Sequence, residues 1–247
     1  MSIEIRGVTR KFGDFAALSN VSLTVPRGEL VALLGPSGSG KTTLLRIIAG
    51  LETCDAGSVH FNGEEAMDRD VRDRGVGFVF QHYALFRHMT VFENVAFGLT
   101  VRPRSNRPGK AAIRDRVREL LRLVQLESVG DRYPAQLSGG QRQRICIARA
   151  LALEPKLIIC DEAISSLDVT VQTQVLDLLQ VLQKKHGLTY IFISHDLSVV
   201  RLISDRIAVM KDGKIVEIGT AVEVFSQPKS EYTRQLLDAM PGAEVRV

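Results

Sequence analysis

The stretch Gly35-Pro36-Ser37-Gly38-Ser39-Gly40-Lys41-Thr42-Thr43 joins glycines, a lysine and hydroxyls in a spacing that suits a polyphosphate. Glycine has no Cβ, so such a backbone can curl until successive N–H groups point at one centre, and a helix behind it adds its positive end. Lys41 would then reach the outer phosphates as a point charge, and the Thr42 hydroxyl would be a ligand for a bridging Mg²⁺. The order is Gly35, four residues, then Gly40-Lys41-Thr42. This is the P-loop pattern, and it stands in the context the pattern needs, between the apolar run 29–34 and the amphipathic segment 42–49. A glycine-rich turn with an incidental lysine would not bring strand, loop and helix together.

Three further groups lie downstream. The apolar strand Leu157–Cys160 delivers Asp161 and Glu162 at its carboxyl end, where ligands sit in a parallel α/β sheet. Asp161 suits a Mg²⁺ shell, and Glu162 suits a base that orients or deprotonates an attacking water. The alternative is an acid pair complementing a helix dipole. A second buried strand, 189–193, presents Ser194-His195-Asp196 at the same end, so His195 reads as a γ-phosphate contact or as the cap of the next helix. Ser138-Gly139-Gly140-Gln141 makes a second helix start able to seat an anion. Alone it is an ordinary cap, but two such seats exceed what one nucleotide tail needs and point to a shared site.

The elements that must position these groups follow from periodicity. Segments 2–8 and 21–25 alternate as half-buried strands, with Phe12 in the turn between them, where it fits either an adenine-stacking face or a core position. Segments 57–63 and 75–80 also read as strands, the second ending at Gln81. From about Arg87 to Ala152 the period becomes helical: 90–99, then 111–126 with Ile113, Val117, Leu120, Leu121 and Val124 on one face, then 141–153. The link 102–109 carries Arg102, Arg104 and Arg107, a solvated loop with lipid-headgroup contact as the minor alternative. A helical block inside a βα chain reads as an inserted subdomain. Ser165 to Asp168 precedes a helix over 169–185, strands over 206–210 and 214–218, and short helices near 222–225 and 232–240.

The chain has 247 residues, 45% of them apolar, enough for one large domain. No stretch approaches the roughly 20 apolar residues of a membrane span, and the N-terminus lacks a signal-peptide core, so a cytosolic protein is expected. Cys54, Cys146 and Cys160 have no metal-ligand spacing and read as reduced, partly buried side chains. A net charge of +4 with few aromatics and no Trp gives no indication of nucleic-acid binding.

The P-loop, Gln81, Leu137-Ser138-Gly139-Gly140-Gln141, the strand ending in Asp161-Glu162, Ser165 to Asp168 and His195 stand in the order found in ATP-binding-cassette ATPases, which the chain resembles along nearly its whole length. The resemblance implies an α/β fold: a P-loop NTPase core with a mixed, mainly parallel sheet, an N-terminal antiparallel β subdomain and an inserted helical subdomain. It implies a single domain, 1–247, with the RecA-like core at 1–86 and 153–247 and the helical part at about 87–152. It also implies a homodimer, or a dimer with a similar ATPase, sandwiching two ATP molecules with Mg²⁺ between one chain's P-loop and the other's Ser138 segment. By position, Phe12 would stack on adenine and Gly35 to Thr43 would hold the phosphates. Thr42, Gln81 and Asp161 would serve Mg²⁺, Glu162 would be the base, and Gln81 would also approach the water. Ser138, Gly139, Gly140 and Gln141 would close on the partner's γ-phosphate, Asp168 would bridge the sites, and His195 would read the γ-phosphate.

Within that family, 31–141 looks most like sulfate and thiosulfate importer ATPases, and the part from Arg144 onward like dipeptide, oligopeptide and nickel importers, which gives the chain a mosaic character. Sulfate-type subunits usually carry a C-terminal β-domain, absent from these 247 residues, so regulation through one is not expected. Ala163 stands where proline is usual, as in some peptide and nickel subunits, and is not read as inactivating. The resemblance implies transmembrane permease partners docked through the Gln81 loop and helical subdomain, an indirect solute-binding partner, and a peripheral place on the cytoplasmic side of the membrane. An oxyanion importer is the favoured expectation. A peptide or nickel importer, a permease-free cytosolic switch, and a recombined or designed chain without a cognate transporter are the alternatives.

Overall fold

β1 (Ile3–Phe12) and β2 (Phe15–Val25) open the chain as an antiparallel hairpin in a computed structural model that describes residues 1–165 and 167–239. β3 (Leu30–Leu34), α1 (Lys41–Ala49), β4 (Ala56–Phe61), the short β5 (Glu64–Glu65) and β6 (Val76–Val79) follow. Next come α2 (Val91–Thr100), α3 (Lys110–Leu123) and α4 (Gly139–Leu151), and then β7 (Leu157–Asp161), α5 (Val169–His186) and β8 (Thr189–Ile193). The chain continues through α6 (Leu197–Ile203), β9 (Arg206–Lys211), β10 (Lys214–Thr220), α7 (Ala221–Ser226) and α8 (Glu231–Asp238). Part of the last expected helix, at Met240, lies outside the described residues.

The strands form two sheets. A four-stranded antiparallel sheet runs β2-β1-β4-β5, and a six-stranded one runs β10-β9-β3-β8-β7-β6. In the larger sheet β9, β3, β8, β7 and β6 are parallel, and only β10 runs antiparallel to its neighbour. The β9–β10 hairpin turns on Asp212 and Gly213, both at positive φ (49° and 73°), the pairing a two-residue turn needs to match strand twist. This is the mixed, mainly parallel sheet with an antiparallel N-terminal partner that the resemblance implied.

Both faces of the larger sheet are covered, which is why its central strands read as unbroken apolar runs. Alternate residues separate cleanly: Val31, Leu33, Leu157, Ile159, Ile191 and Ile193 join α1 and the small sheet in one cluster, while Ile158, Cys160, Tyr190 and Phe192 join α2 to α5 in another. At nine residues α1 is too short to hold itself together in water. It is fixed by Leu44, Leu45, Ile47 and Ile48, all fully buried, each worth about 1.5–3 kcal/mol relative to exposure. The buried Arg74 guanidinium donates to the Ile47 and Ile48 carbonyls at its far end, and Gly50 must lack a Cβ because one would meet Arg74 Nε at 2.6 Å.

Among the described residues the segment between β6 and β7 holds helices and no strand. α2 starts on a capping box in which the Thr90 hydroxyl accepts the Glu93 N–H and Glu93 returns to Thr90 N–H. α3 ends earlier than expected because Gln125 turns the chain at φ 59°, although Val124 stays buried. Among the described residues no helix is long and apolar enough to cross a membrane.

Candidate active site

The strand order decides what can meet. β3, β8, β7 and β6 are consecutive and parallel, and the register pairs Leu33 with Ile193, Ile193 with Asp161, and Cys160 with Val79. The carboxyl ends are therefore level, and the P-loop, His195, Asp161-Glu162 and Gln81 follow one another along a single sheet edge at steps of about 5 Å.

The P-loop passes directly into α1, whose cap residue Gly40 sits at φ 96°. Only glycine fits there, because a Cβ would lie 2.3 Å from the Ala17 carbonyl of β2; at Gly35 (φ 145°) it would lie 2.1 Å from the Met210 carbonyl. Pro36, Ser37 and Gly38 are exposed at the loop's tip, and Thr43 is half-buried beneath it. Lys41 is 6% exposed, and its ammonium donates to the Gly35 and Pro36 carbonyls (2.8 Å each) and reaches Ser39 Oγ at 3.4 Å. The lysine is thus folded against its own loop. Burial lowers its pKa, opposed by the carboxylates of Glu162 and Asp161.

Beside the loop, Thr42 Oγ1 donates to Asp161 Oδ1 at 3.3 Å. Burial lifts the Asp161 pKa and the Glu162 charge adds to this, against the Thr42 hydrogen bond, Arg46 and Lys41. Glu162 stands between two partners: Gln81 Nε2 donates to Oε2 at 2.6 Å, and His195 Nε2 meets Oε1 at 2.5 Å. Its backbone is held at φ 50°, a left-handed conformation costing a non-glycine residue on the order of 1–3 kcal/mol. Neither structural alternative describes these groups. The helix after Glu162 starts seven residues later, where Asp168 accepts the Val171 N–H, and α6 is capped by Asp196 rather than His195. Among the described residues no group of three His, Cys, Asp or Glu side chains could hold a metal. The Thr42 hydroxyl and Asp161 carboxylate are the hard oxygen donors that suit Mg²⁺ when phosphates supply further oxygens.

Phe12 is the last residue of β1 rather than part of the turn. It is 46% exposed, which removes the core reading, and the Arg10 guanidinium lies over its ring, 4.9 Å from the centre. The second anion seat begins α4 two residues earlier than expected, since Gly139 and Gly140 are already helical. Ser138 Oγ accepts the Gln141 N–H and Gln141 Oε1 accepts the Ser138 N–H, so the cap reading of this serine is realised. The serine's own hydrogen takes no part in that box. α4 belongs to the cluster on one face of the large sheet and α1 to the cluster on the other. Within one chain, then, the helices that follow the two seats cover opposite faces of the sheet. The sequence reading missed the loop after Gln81, where Tyr83 and Ala84 take positive φ and α4 side chains grip their carbonyls. Neither residue type signals this.

A P-loop whose lysine shares a sheet edge with an acid pair, a histidine and a glutamine defines an ATP-hydrolysing cassette. Residues 18–165 match the family model described as ABC transporter, and the chain belongs to that family as its ATPase. It is 56% identical over 237 residues to the sulfate/thiosulfate import ATP-binding protein CysA of Pseudomonas aeruginosa, covering 96% of this chain and 72% of that protein. The protein of the same name from Bradyrhizobium diazoefficiens is 53% identical over 247 residues, covering 100% and 72%. Both alignments pass through the part beyond Arg144 as well as the front. Among solved structures, the ADP conformation of the cassette MJ1267 matches with a TM-score of 0.85 at 28% identity, over 97% of this chain and 100% of that one. A dimeric post-hydrolysis state of the cassette MJ0796, bound to ADP and Pi, matches with 0.79 at 35%, over 89% and 98%.

Proposed function

We propose that this chain hydrolyses ATP to drive uptake of sulfate or thiosulfate through a transmembrane partner, from the cytoplasmic side of the membrane. The observation that carries the chemistry is Glu162, held at one sheet edge between Gln81 and His195, next to the P-loop. The solute assignment rests on the relatives' names.

Phe12 offers its ring to adenine, and Gly35 to Thr43 wrap the phosphates with backbone N–H groups. Lys41 exchanges its loop carbonyls for phosphate oxygens, regaining the charge partner that its burial demands. Thr42 and Asp161 would hold Mg²⁺, with Gln81 beside them; the ion would neutralise charge developing on the phosphate oxygens. Glu162 accepts the proton of the attacking water, Gln81 orients that water, and His195 contacts the γ-phosphate while fixing the Glu162 carboxylate. ABC cassettes work as dimers with transmembrane partners in import systems. In that dimer Ser138, Gly139, Gly140 and Gln141 complete a second chain's site, with Asp168 near the boundary. The segment at about 87–152 acts as the helical subdomain beside the core at 1–86 and 153–247. A groove of about 690 Å³ in it, lined by Met89, Phe92, Phe97 and Ile113 with Glu93 and Lys110, suits an amphipathic helix from the permease.

Glu162→Gln tests the chemistry: a general base contributes about 10²- to 10⁴-fold, so steady-state hydrolysis should fall by that range with ATP binding kept. Hydrolysis at the parental rate would remove Glu162 as the base. Sulfate and thiosulfate uptake by vesicles carrying the chain with a sulfate-type permease tests the solute.

A further inference from the structure

The link before α3 and the solvent side of that helix take no part in the nucleotide site. Between Arg102 and Arg122 the chain carries eight basic residues and two acidic ones, a net +6, so with a total of +4 the rest of the chain is slightly acidic. Lys110, Arg114, Arg118 and Arg122 recur every fourth residue, which sets them in one row along α3, about 6 Å apart and about 18 Å from end to end. All four are exposed, as are Arg104 and Arg107 in the link. Among the described residues no carboxylate pairs with Arg104, Arg107, Lys110, Arg114 or Arg118. Arg122 meets Glu127 at 2.9 Å, and Arg116, off the row, meets Glu119 at 2.8 Å and Glu154 at 3.8 Å.

The row also works against its own helix. α3 has no acid in its first turn and no side-chain cap from Gly109, so Lys110 stands at the positive end of the helix dipole. Like charges four residues apart destabilise a helix further. An anionic partner relieves both costs. Lys110 and Arg114 line the groove proposed above for the permease, beside Met89, Phe92 and Phe97. The row therefore starts where a transmembrane protein would meet this chain and runs outward from that place.

We infer that this row and the link before it bind an anionic lipid surface next to the permease. Residues 102–122 include no aromatic side chain, so the face lacks the stacking platforms that hold nucleic-acid bases. Exposed cations on one helix suit headgroup phosphates, which attract basic segments by charge alone. The place of this surface beside the permease rests on the groove reading given above; the attraction to lipid does not.

The test mixes the full chain, with no permease present, with vesicles of phosphatidylcholine alone or of an equal mixture with phosphatidylglycerol, and reads bound chain by flotation. The chain should bind the mixed vesicles only, and added salt should release it. Each basic residue near such a surface strengthens binding about fivefold, so Arg104→Gln, Arg114→Gln and Arg118→Gln together should weaken it about a hundredfold. Lys184→Gln, Lys185→Gln and Lys214→Gln together remove the same charge from exposed positions elsewhere and should leave binding within about threefold. Failure of the parent chain to float with the mixed vesicles overturns the inference, and so does an equal loss in the two triple variants. Release by a single-stranded oligonucleotide at equal phosphate concentration gives the face to nucleic acid and overturns it too. Capture by a sulfate-type permease in detergent separates the two readings: vesicle binding without capture overturns the groove alone, and capture without vesicle binding overturns the lipid surface alone. Should the first triple variant fail to fold, Arg104→Glu in the link decides: parental vesicle binding overturns the inference, and a loss of about twentyfold supports it.

Discussion

Gly38→Ala and Gly40→Ala form a pair that separates backbone strain from close approach in the P-loop. Gly38 sits at φ 80° with no atom within 4 Å of where a Cβ would go, whereas Gly40, at φ 96°, would put its Cβ 2.3 Å from the Ala17 carbonyl and 2.8 Å from Leu18 Cδ2. The first substitution meets only the left-handed penalty of an L-residue, about 1–2 kcal/mol. The second meets that penalty and must also push β2 back by roughly 1 Å, an overpacking cost of about 1–3 kcal/mol, for a total of about 2–5 kcal/mol. For a domain of this size each kcal/mol moves Tm by about 2–4 °C, so Gly38→Ala should lower Tm by about 2–8 °C and Gly40→Ala by about 4–20 °C. Thermal unfolding followed by circular dichroism measures both. Gly40 is also the cap of α1, so its substitution should weaken ATP binding more than that of Gly38. Equal losses of stability, or a larger loss for Gly38→Ala, would show that the contact with β2 does not constrain the loop.

Two further outcomes follow from the buried titratable groups. Burial raises the Asp161 pKa above its ordinary 3.8, so the ionised carboxylate disfavours the ligand-free fold, and this group's stabilising contribution is present below 3.8 and lost as pH rises through the folded value. Metal binding needs the ionised form. The gain in ATP affinity that Mg²⁺ gives over chelator should therefore decline on acidification from above pH 3.8, and Asp161→Asn should abolish it; an unchanged gain in that variant would remove Asp161 from the metal shell. Cys146 and Cys160 are buried, which pushes both thiols up to about 12, whereas Cys54 is partly exposed and raised less far. A thiol reagent at pH 8 should modify Cys54 alone in the native chain and all three cysteines in denaturant, and fast native labelling of Cys146 would contradict its contact with the Tyr83 carbonyl.

Much of this site could be read from residue order because the physics is local. A glycine loop between an apolar strand and an amphipathic segment has few other uses, and the runs 157–160 and 189–193 are apolar because both faces of their sheet are covered. Their order in the sheet was not legible: that β8 lies between β3 and β7, and so sets His195 against Glu162, depends on crossovers no single segment encodes. Phe12 reads as a turn residue from the sequence because alternation fades after Val8, where register shifts interrupt the β1–β2 pairing. β5 is a two-residue pairing with His60 and Phe61 that is too short for any period. The start of α4 reads late from the sequence because its glycines are poor helix formers, yet Gly139 faces the Tyr83 hydroxyl and Gly140 faces Val171, where a Cβ would come within 2.3 Å. Lys41 turning back on its own loop, and the left-handed pair at Tyr83 and Ala84, are tertiary outcomes with no compositional mark.

The shared site itself is tested most directly by mixing two versions of the chain, one with Ser37→Cys and the other with Ser138→Cys, each carrying Glu162→Gln and with Cys54, Cys146 and Cys160 replaced by serine. A short bifunctional thiol reagent should join the two versions to each other in Mg-ATP and leave them separate in ADP. Absence of the mixed product in ATP, or the same yield in ADP, would contradict a nucleotide held between the lysine loop of one chain and the serine-led helix of the next.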